Sequence, residues 1–221
     1  MNFTTLFRLS FLLAFTLFCP LALADEKPEA DSEGWIELFN GKDLSGWKVS
    51  TDNPDSFQVE DGKLIVKGPR AHLYYAGPIE DADFKNFEWK CEIMTKPKAN
   101  SGMYFHTEYQ AESWPKKGYE VQVNTSHGDP RKTGSLYAIE DVMDNAPSED
   151  SEWFTQQVIV NGKRIIIKVN DKVVVDYTEP EDVERTGNDV GKLIDSGTFA
   201  IQAHDPGSEI HYRSIAVKPL P

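Results

Sequence analysis

From Phe84 onward, apolar residues recur at every second position in short runs. Phe87, Trp89, Cys91 and Ile93 alternate with Glu88, Lys90 and Glu92, the pattern of an antiparallel strand with one face buried and the other wet. The same alternation in Met103 to His106 and Tyr119 to Val123 puts Met103, Phe105, Tyr119, Val121 and Val123 on one face. Tyr104, His106, Glu120 and Gln122 fall on the other. Shorter runs at Trp35–Phe39, Phe57–Glu60, Lys63–Val66 and Leu73–Tyr75 read as further strands, as do Phe154–Val160, Arg164–Val169 and Lys172–Tyr177. Asp61-Gly62 and Asn161-Gly162 are hairpin dipeptides, and Asn170-Asp171 is a turn. Near the C-terminus Thr198–His204 and Ile210–Val217 alternate again, with Ala200, Gln202 and His204 opposite Phe199, Ile201 and Ala203. No segment of a dozen residues carries a helical period. The chain is therefore expected to be all-β, a two-sheet antiparallel sandwich with Phe87, Trp89, Val121, Ile167 and Ile201 between the sheets. Long loops are expected through Asp150 and over Glu179–Val190.

The N-terminus is organised differently. Arg8, the apolar run Leu9–Phe18 and Ala22-Leu23-Ala24 predict a secretory signal over residues 1–24, cleaved after Ala24. Export to the periplasm or the extracellular space follows, with no membrane attachment after cleavage; Phe18 before Cys19 argues against a lipid anchor. Residues 25–33 are acidic and lack apolar periodicity, a disordered linker, and one domain is expected over 34–218. Cleavage would leave Cys91 as the single cysteine, at a core-facing position, so an internal disulfide is excluded. A formal net charge of −13 at pH 7 argues against nucleic acid as a partner.

The polar face of Tyr104, His106, Glu120 and Gln122 gathers an imidazole, a carboxylate and a carboxamide, groups able to hold a polar ligand and move a proton. The solvated face of any antiparallel sheet would also be polar, and composition alone does not separate the two readings. The histidines show no metal-ligand spacing, so no cofactor is indicated locally; His106, His204 and Glu120 could converge on a divalent metal only from separate strands. Phosphate-binding glycine loops and serine-nucleophile elbows are absent from the sequence. A two-carboxylate glycosidase would need an acid besides Glu120 from another strand. Tyr104, Trp114 and Tyr137 supply aromatic surface on which a sugar ring can stack, with Tyr119 assigned to the core.

Six segments in order resemble one family: Gly34-Trp35-Ile36-Glu37-Leu38-Phe39-Asn40-Gly41-Lys42-Asp43-Leu44-Ser45-Gly46-Trp47, then Asn100-Ser101-Gly102, Gly118-Tyr119-Glu120-Val121-Gln122, Gly134-Ser135-Leu136-Tyr137, Glu152-Trp153 and Ile201-Gln202-Ala203-His204. They are similar to the 3-keto-disaccharide hydrolase domain. The resemblance covers Gly34 to Lys218 and departs from the family where His106 replaces an arginine, Phe154 an asparagine and Asp205 a glycine. It implies a concanavalin-like jelly roll and a carbohydrate partner, an oxidised disaccharide or glycoside, on the concave sheet. The implied chemistry is removal of the C2 proton of a 3-keto sugar, loss of the C1 aglycone and addition of water. In that scheme Glu120 or His204 is the base and His106 the proton donor or enolate partner. Tyr104, Gln122 and Gln202 contact hydroxyls, and Trp114 and Tyr137 bind the ring. The alternative is a non-catalytic carbohydrate-binding module on the same face.

Overall fold

The computed structural model describes Met1 and residues 28–221; the expected signal sequence, its cleavage site and Cys19 lie outside the described residues, as does the first part of the linker. Thirteen strands follow one another: β1 Ile36–Glu37, β2 Trp47–Val49, β3 Phe57–Glu60, β4 Lys63–Lys67, β5 Ala71–Tyr75, β6 Phe87–Thr95, β7 Ser101–Thr107, β8 Tyr119–Val123, β9 Phe154–Asn161, β10 Arg164–Val169, β11 Lys172–Thr178, β12 Thr198–Ala203 and β13 Glu209–Pro219. The helical elements among the described residues are three short 3₁₀ turns. None is long and apolar enough to cross a membrane.

The strands form two antiparallel sheets packed as a concanavalin-like jelly roll. One runs β11-β10-β9-β6-β13-β4-β3, with β1 sharing the β4 edge of β13, and the other β2-β5-β12-β7-β8. Turn chemistry sets the hairpin registers. Asp61 and Gly62 both have positive φ (48° and 75°), as do Asn170 and Asp171 (48° and 64°), the backbone that a tight hairpin between right-twisted strands requires. The meander β9-β10-β11 stands where the pattern predicts it.

All five residues expected between the sheets are fully buried. Phe199 of the five-stranded sheet stacks on Trp89 of the other, with ring centroids 4.4 Å apart, and on Phe84 at 4.4 Å. Burying each such side chain contributes about 1.5–3 kcal/mol, which is what clamps the two layers. Cys91 is a free thiol within this core. Asp31 Oδ1 accepts the N–H groups of Glu33 (2.8 Å) and Trp35 (2.9 Å), turning the chain into β1.

The regular alternation fails once in the site-bearing sheet. Thr107 pairs with Thr198 while Tyr104 pairs with Ala200, so β7 carries one extra residue against β12. This is a bulge, and His106 occupies it with φ 53°.

Candidate active site

The outer face of the five-stranded sheet holds the site. Glu120 on β8 lies opposite Tyr104 on β7, and Gln122 opposite Gly102. Across the other edge of β7, Ala200 pairs with Tyr104 and Ile201 with Met103, which sets Gln202 beside Gly102. Because Gly102 has no side chain, the Glu120 carboxylate can lie across β7 and accept a hydrogen bond from Gln202 Nε2 at 3.0 Å. Gln202 Nε2 also donates to the Tyr104 hydroxyl at 2.8 Å. Three strands thus converge on one carboxylate.

Loops wall this floor into a cavity of about 710 Å³. Residues 134–137 run along β8, with Gln122 N donating to Ser135 O and Tyr137 N to Glu120 O (3.0 and 2.9 Å). The loop bearing Trp114 meets the 187–192 loop where Gly118 N donates to Gly191 O at 2.9 Å. Gly191 is required there, because a Cβ would overlap the Lys116 carbonyl. Buried Glu179 pins the far end of the second loop, accepting from the Tyr119 hydroxyl and from Ile194 N (3.0 Å). Lys192 is brought over the cavity and donates to Tyr137 O (3.0 Å) and Asp189 (2.7 Å).

Burial pushes the Glu120 carboxyl up to about 7, against hydrogen bonds from Tyr104 and Gln202 and the nearby Lys192 charge, with Asp129 adding to the rise. Glu120 is half-buried and lines the cavity. A carboxyl poised near neutrality inside a cleft has the profile of a general base. Burial and the Glu120 charge hold the Tyr104 phenol well above its ordinary range, so it remains a hydrogen-bond donor. The other carboxylates of the wall are tied down: Asp129 accepts from Arg131 N (2.9 Å) and the Tyr137 hydroxyl (3.3 Å), and Asp189 holds Lys192. His204 lines the cavity with Nδ1 2.9 Å from Asp205 Oδ2. Asp205 is fixed by Ser208 Oγ (2.7 Å) and Gly207 N (2.8 Å). Burial opposes its charge, yet the hydrogen bonds from Ser208, His204 and Gly207 keep its carboxyl below the usual range. An ionised Asp205 accepting Nδ1–H leaves His204 Nε2 as the free nitrogen. Two buried acceptors lining the cavity, Asn100 Oδ1 and Gln202 Oε1, have no partner in the protein.

Tyr104, Trp114, Glu120, Gln122, Tyr137, Gln202 and His204, all candidates from the sequence, line this one cavity. His106 does not. The bulge turns it away from the polar face and buries it completely. There Nε2 donates to Lys85 O (3.0 Å), Nδ1 accepts Asp195 N–H (3.3 Å), and Phe87 packs against the ring. Burial lowers its basicity, so His106 is a neutral structural residue and not a proton donor in the cavity. The metal set His106, His204 and Glu120 therefore does not assemble. One different grouping occurs among the described residues: His127, His204 and Asp205 offer ligand-type atoms within 4.8 Å of one another. His127 Nδ1 already accepts Asp129 N–H (3.1 Å), and His204 and Asp205 are hydrogen-bonded together. Asn100 and Lys192 join the cavity without having been singled out in the sequence; the Asn100-Ser101-Gly102 segment was a signal for the first, and nothing local marks the second.

Comparison with known proteins shows the family and the fold. The family model described as the 3-keto-alpha-glucoside-1,2-lyase-like domain matches residues 34–218. A 3-keto-disaccharide hydrolase of Bacteroides thetaiotaomicron is 25% identical over 178 residues, covering 66% of this chain and 59% of that protein. The chain thus spans somewhat over half the length of that relative. A crystal structure from Parabacteroides distasonis, assigned provisionally to the glycosyl hydrolases, superposes with a TM-score of 0.70 at 21% identity, covering 86% of this chain and 95% of that one. A carbohydrate-binding module from Bacillus subtilis shares the fold with a TM-score of 0.56 at 12% identity, covering 78% and 95%.

Proposed function

Because the chain belongs to the 3-keto-alpha-glucoside-1,2-lyase-like family, we propose that its cavity cleaves a glycoside whose sugar carries a ketone at carbon 3. The ketone acidifies the C2 hydrogen. Glu120 takes that hydrogen as a proton, the C2–H electrons form the C1–C2 double bond, and the C1–O bond breaks with its electrons leaving on the aglycone oxygen. His204, as an imidazolium whose Nδ1–H is held by Asp205, supplies from Nε2 the proton that the aglycone takes away. Water then adds across the double bond, its hydroxyl going to C1 and its proton to His204 while Glu120 returns its proton to C2, which completes hydrolysis. Tyr104 and Gln202 donate on the floor; Gln122, Trp114 and Tyr137 contact the sugar from floor and wall. Support comes above all from one observation: the Glu120 carboxylate lies at the cavity floor across Gly102, held by Gln202, with the other wall carboxylates engaged elsewhere. Such a site has one base and needs no flanking acid pair.

Cleavage of 3-keto disaccharides by the purified protein, followed by product analysis, tests the proposal. Binding without turnover would favour a carbohydrate-binding module instead. Within the proposed reaction Asp205→Asn should slow turnover by ~10-fold or more with little change in KM, because a neutral amide no longer stabilises the imidazolium that donates from Nε2. Steady-state kinetics on parent and variant measure this. We also propose export, supported by the signal-like N-terminus; protein secreted by a bacterial host should begin at Asp25, as N-terminal sequencing would show.

A further inference from the structure

The outer face of the same sheet carries a second polar group beside the cavity, shut from view. His72 on β5 is the Cα partner of Gln202 on β12, one strand from the cavity floor. Its side chain is fully buried and neither ring nitrogen has a hydrogen-bond partner. Arg70 Nε, two residues earlier, is also buried and unpartnered, although the same guanidinium pairs with Asp52 at 3.0 Å. Desolvation lowers the His72 imidazole to about 3, so the ring is neutral and holds one unmatched N–H and one unmatched lone pair. Each such group is costly to leave unmatched away from water, and native proteins retain few without a use for them.

Trp114 is one of three aromatic rings that close the imidazole off, with Tyr104 and Tyr74 at centroid distances of 5.5 and 6.2 Å. Its indole lies 5.7 Å from the His72 ring centroid and 5.5 Å from that of His204, with the Arg70 guanidinium 5.5 Å from the indole. The indole is itself 40% exposed and lines the cavity. It is the partition between an open cavity over Glu120 and a covered imidazole next door. The loop behind it is fastened to the sheet edge through Ala111 O, which accepts from Thr51 N (2.7 Å), and through Ser113 N, which donates to Asp52 (2.6 Å). Those anchors hold the backbone of the loop and not the indole itself.

We propose that His72 is the floor of a second sugar subsite, opened when the Trp114 indole swings aside, and that the substrate is a disaccharide or longer glycan whose second ring occupies it. This rests on reading the cavity as a 3-keto-glycoside site. A neutral imidazole offers one donor and one acceptor, the complement of two neighbouring ring hydroxyls, one accepting and one donating. The displaced indole offers a flat apolar surface to the face of the same ring. Asp52 neutralises Arg70, which favours an uncharged second sugar.

Calorimetry on the full chain, in the slow Glu120→Gln background, tests this with 3-keto-maltose, 3-keto-cellobiose and methyl 3-keto-glucoside. At least one disaccharide should bind ~10-fold or more tightly than the methyl glycoside. Adding His72→Phe, which keeps the ring volume and removes the hydrogen bonds, should bring that ratio close to one, while His72→Gln should retain part of it. Disaccharide and methyl glycoside binding equally, or a preference that survives His72→Phe, overturns the subsite alone. Failure of all three probes to bind overturns the reading of the cavity and the subsite with it. If His72→Phe does not fold, deuterium exchange at the His72 ring C2 position decides: slowing by disaccharide and not by methyl glycoside supports the subsite, and equal effects overturn it.

Discussion

Glu120→Gln is expected to bind a 3-keto disaccharide about as well as the parent protein and to turn it over ~10²-fold or more slowly. The amide keeps the shape of the carboxylate, and its oxygen can still accept from Gln202 Nε2 across the gap at Gly102. What it loses is the capacity to take a proton. The parent rate should rise with pH through about 7, because only the ionised carboxyl is a base and burial has moved its titration there. The variant should lack that rise. Stability runs the other way. The folded carboxyl titrates near 7 and the unfolded one near 4.5, so between those values the native state holds a proton that the unfolded chain has released. Parent stability should therefore fall as pH increases from about 4.5 to about 7, and the variant should be spared that fall. Kinetics across the pH range, with thermal melts at pH 5 and pH 8, measure both effects. An unchanged rate in the variant would take Glu120 out of the mechanism and move the base to His204.

Strand periodicity carried the reading far, and where it failed the cause is physical. Alternation says which face of a strand a residue occupies but presumes regular pairing, and β7 stops being regular one residue before His106. The bulge had a weak local signature in the glycines around it. A Cβ at Gly118 would overlap Phe105 O, and one at Gly197 would overlap Thr107 O, so backbones crowd the bulge from both sides. Nothing in one strand's sequence tells which glycine approaches which partner. His72 escaped for the opposite reason. All of Ala71–Tyr75 is buried, because one face meets the core and the other is covered by the loop carrying Tyr109 and Trp114, and a covered outer face has no polar alternation to read. Lys192 reaches the cavity only because Glu179, buried more than a turn of chain away, anchors its loop through Tyr119 and Ile194. Contacts of that span are set by tertiary packing and leave no local trace. Glu120, Gln122 and Gln202 were legible because the strands that carry them stay regular where the side chains emerge.

The same regularity makes Gly102→Ala a selective probe of the site. Gly102 lies in β7 with an ordinary extended backbone and is absent from the residues of positive φ, so alanine meets no conformational penalty. Its methyl would instead overlap Glu120 Oε1 and lie 3.0 Å from both Cγ and Cδ of that side chain. The obstacle is the free end of a flexible side chain, which can turn away, and it turns away from Gln202 and Tyr104. Folding should be little affected, with the melting temperature moving by no more than about 1 kcal/mol would cause, since alanine also restricts the unfolded chain. Turnover should fall by ~10²-fold, the usual consequence of shifting a reacting group by about an ångström. The pH dependence should survive, because the carboxylate is still present, but with an altered midpoint, because its surroundings have changed. The two substitutions act on one group, so Gly102→Ala placed on Glu120→Gln should cost little more than Glu120→Gln alone. A double variant whose losses multiply in full would show that Gly102 matters for some reason other than the seat it leaves for the carboxylate. An unaltered rate in the single variant would show that the carboxylate need not lie across β7 to act.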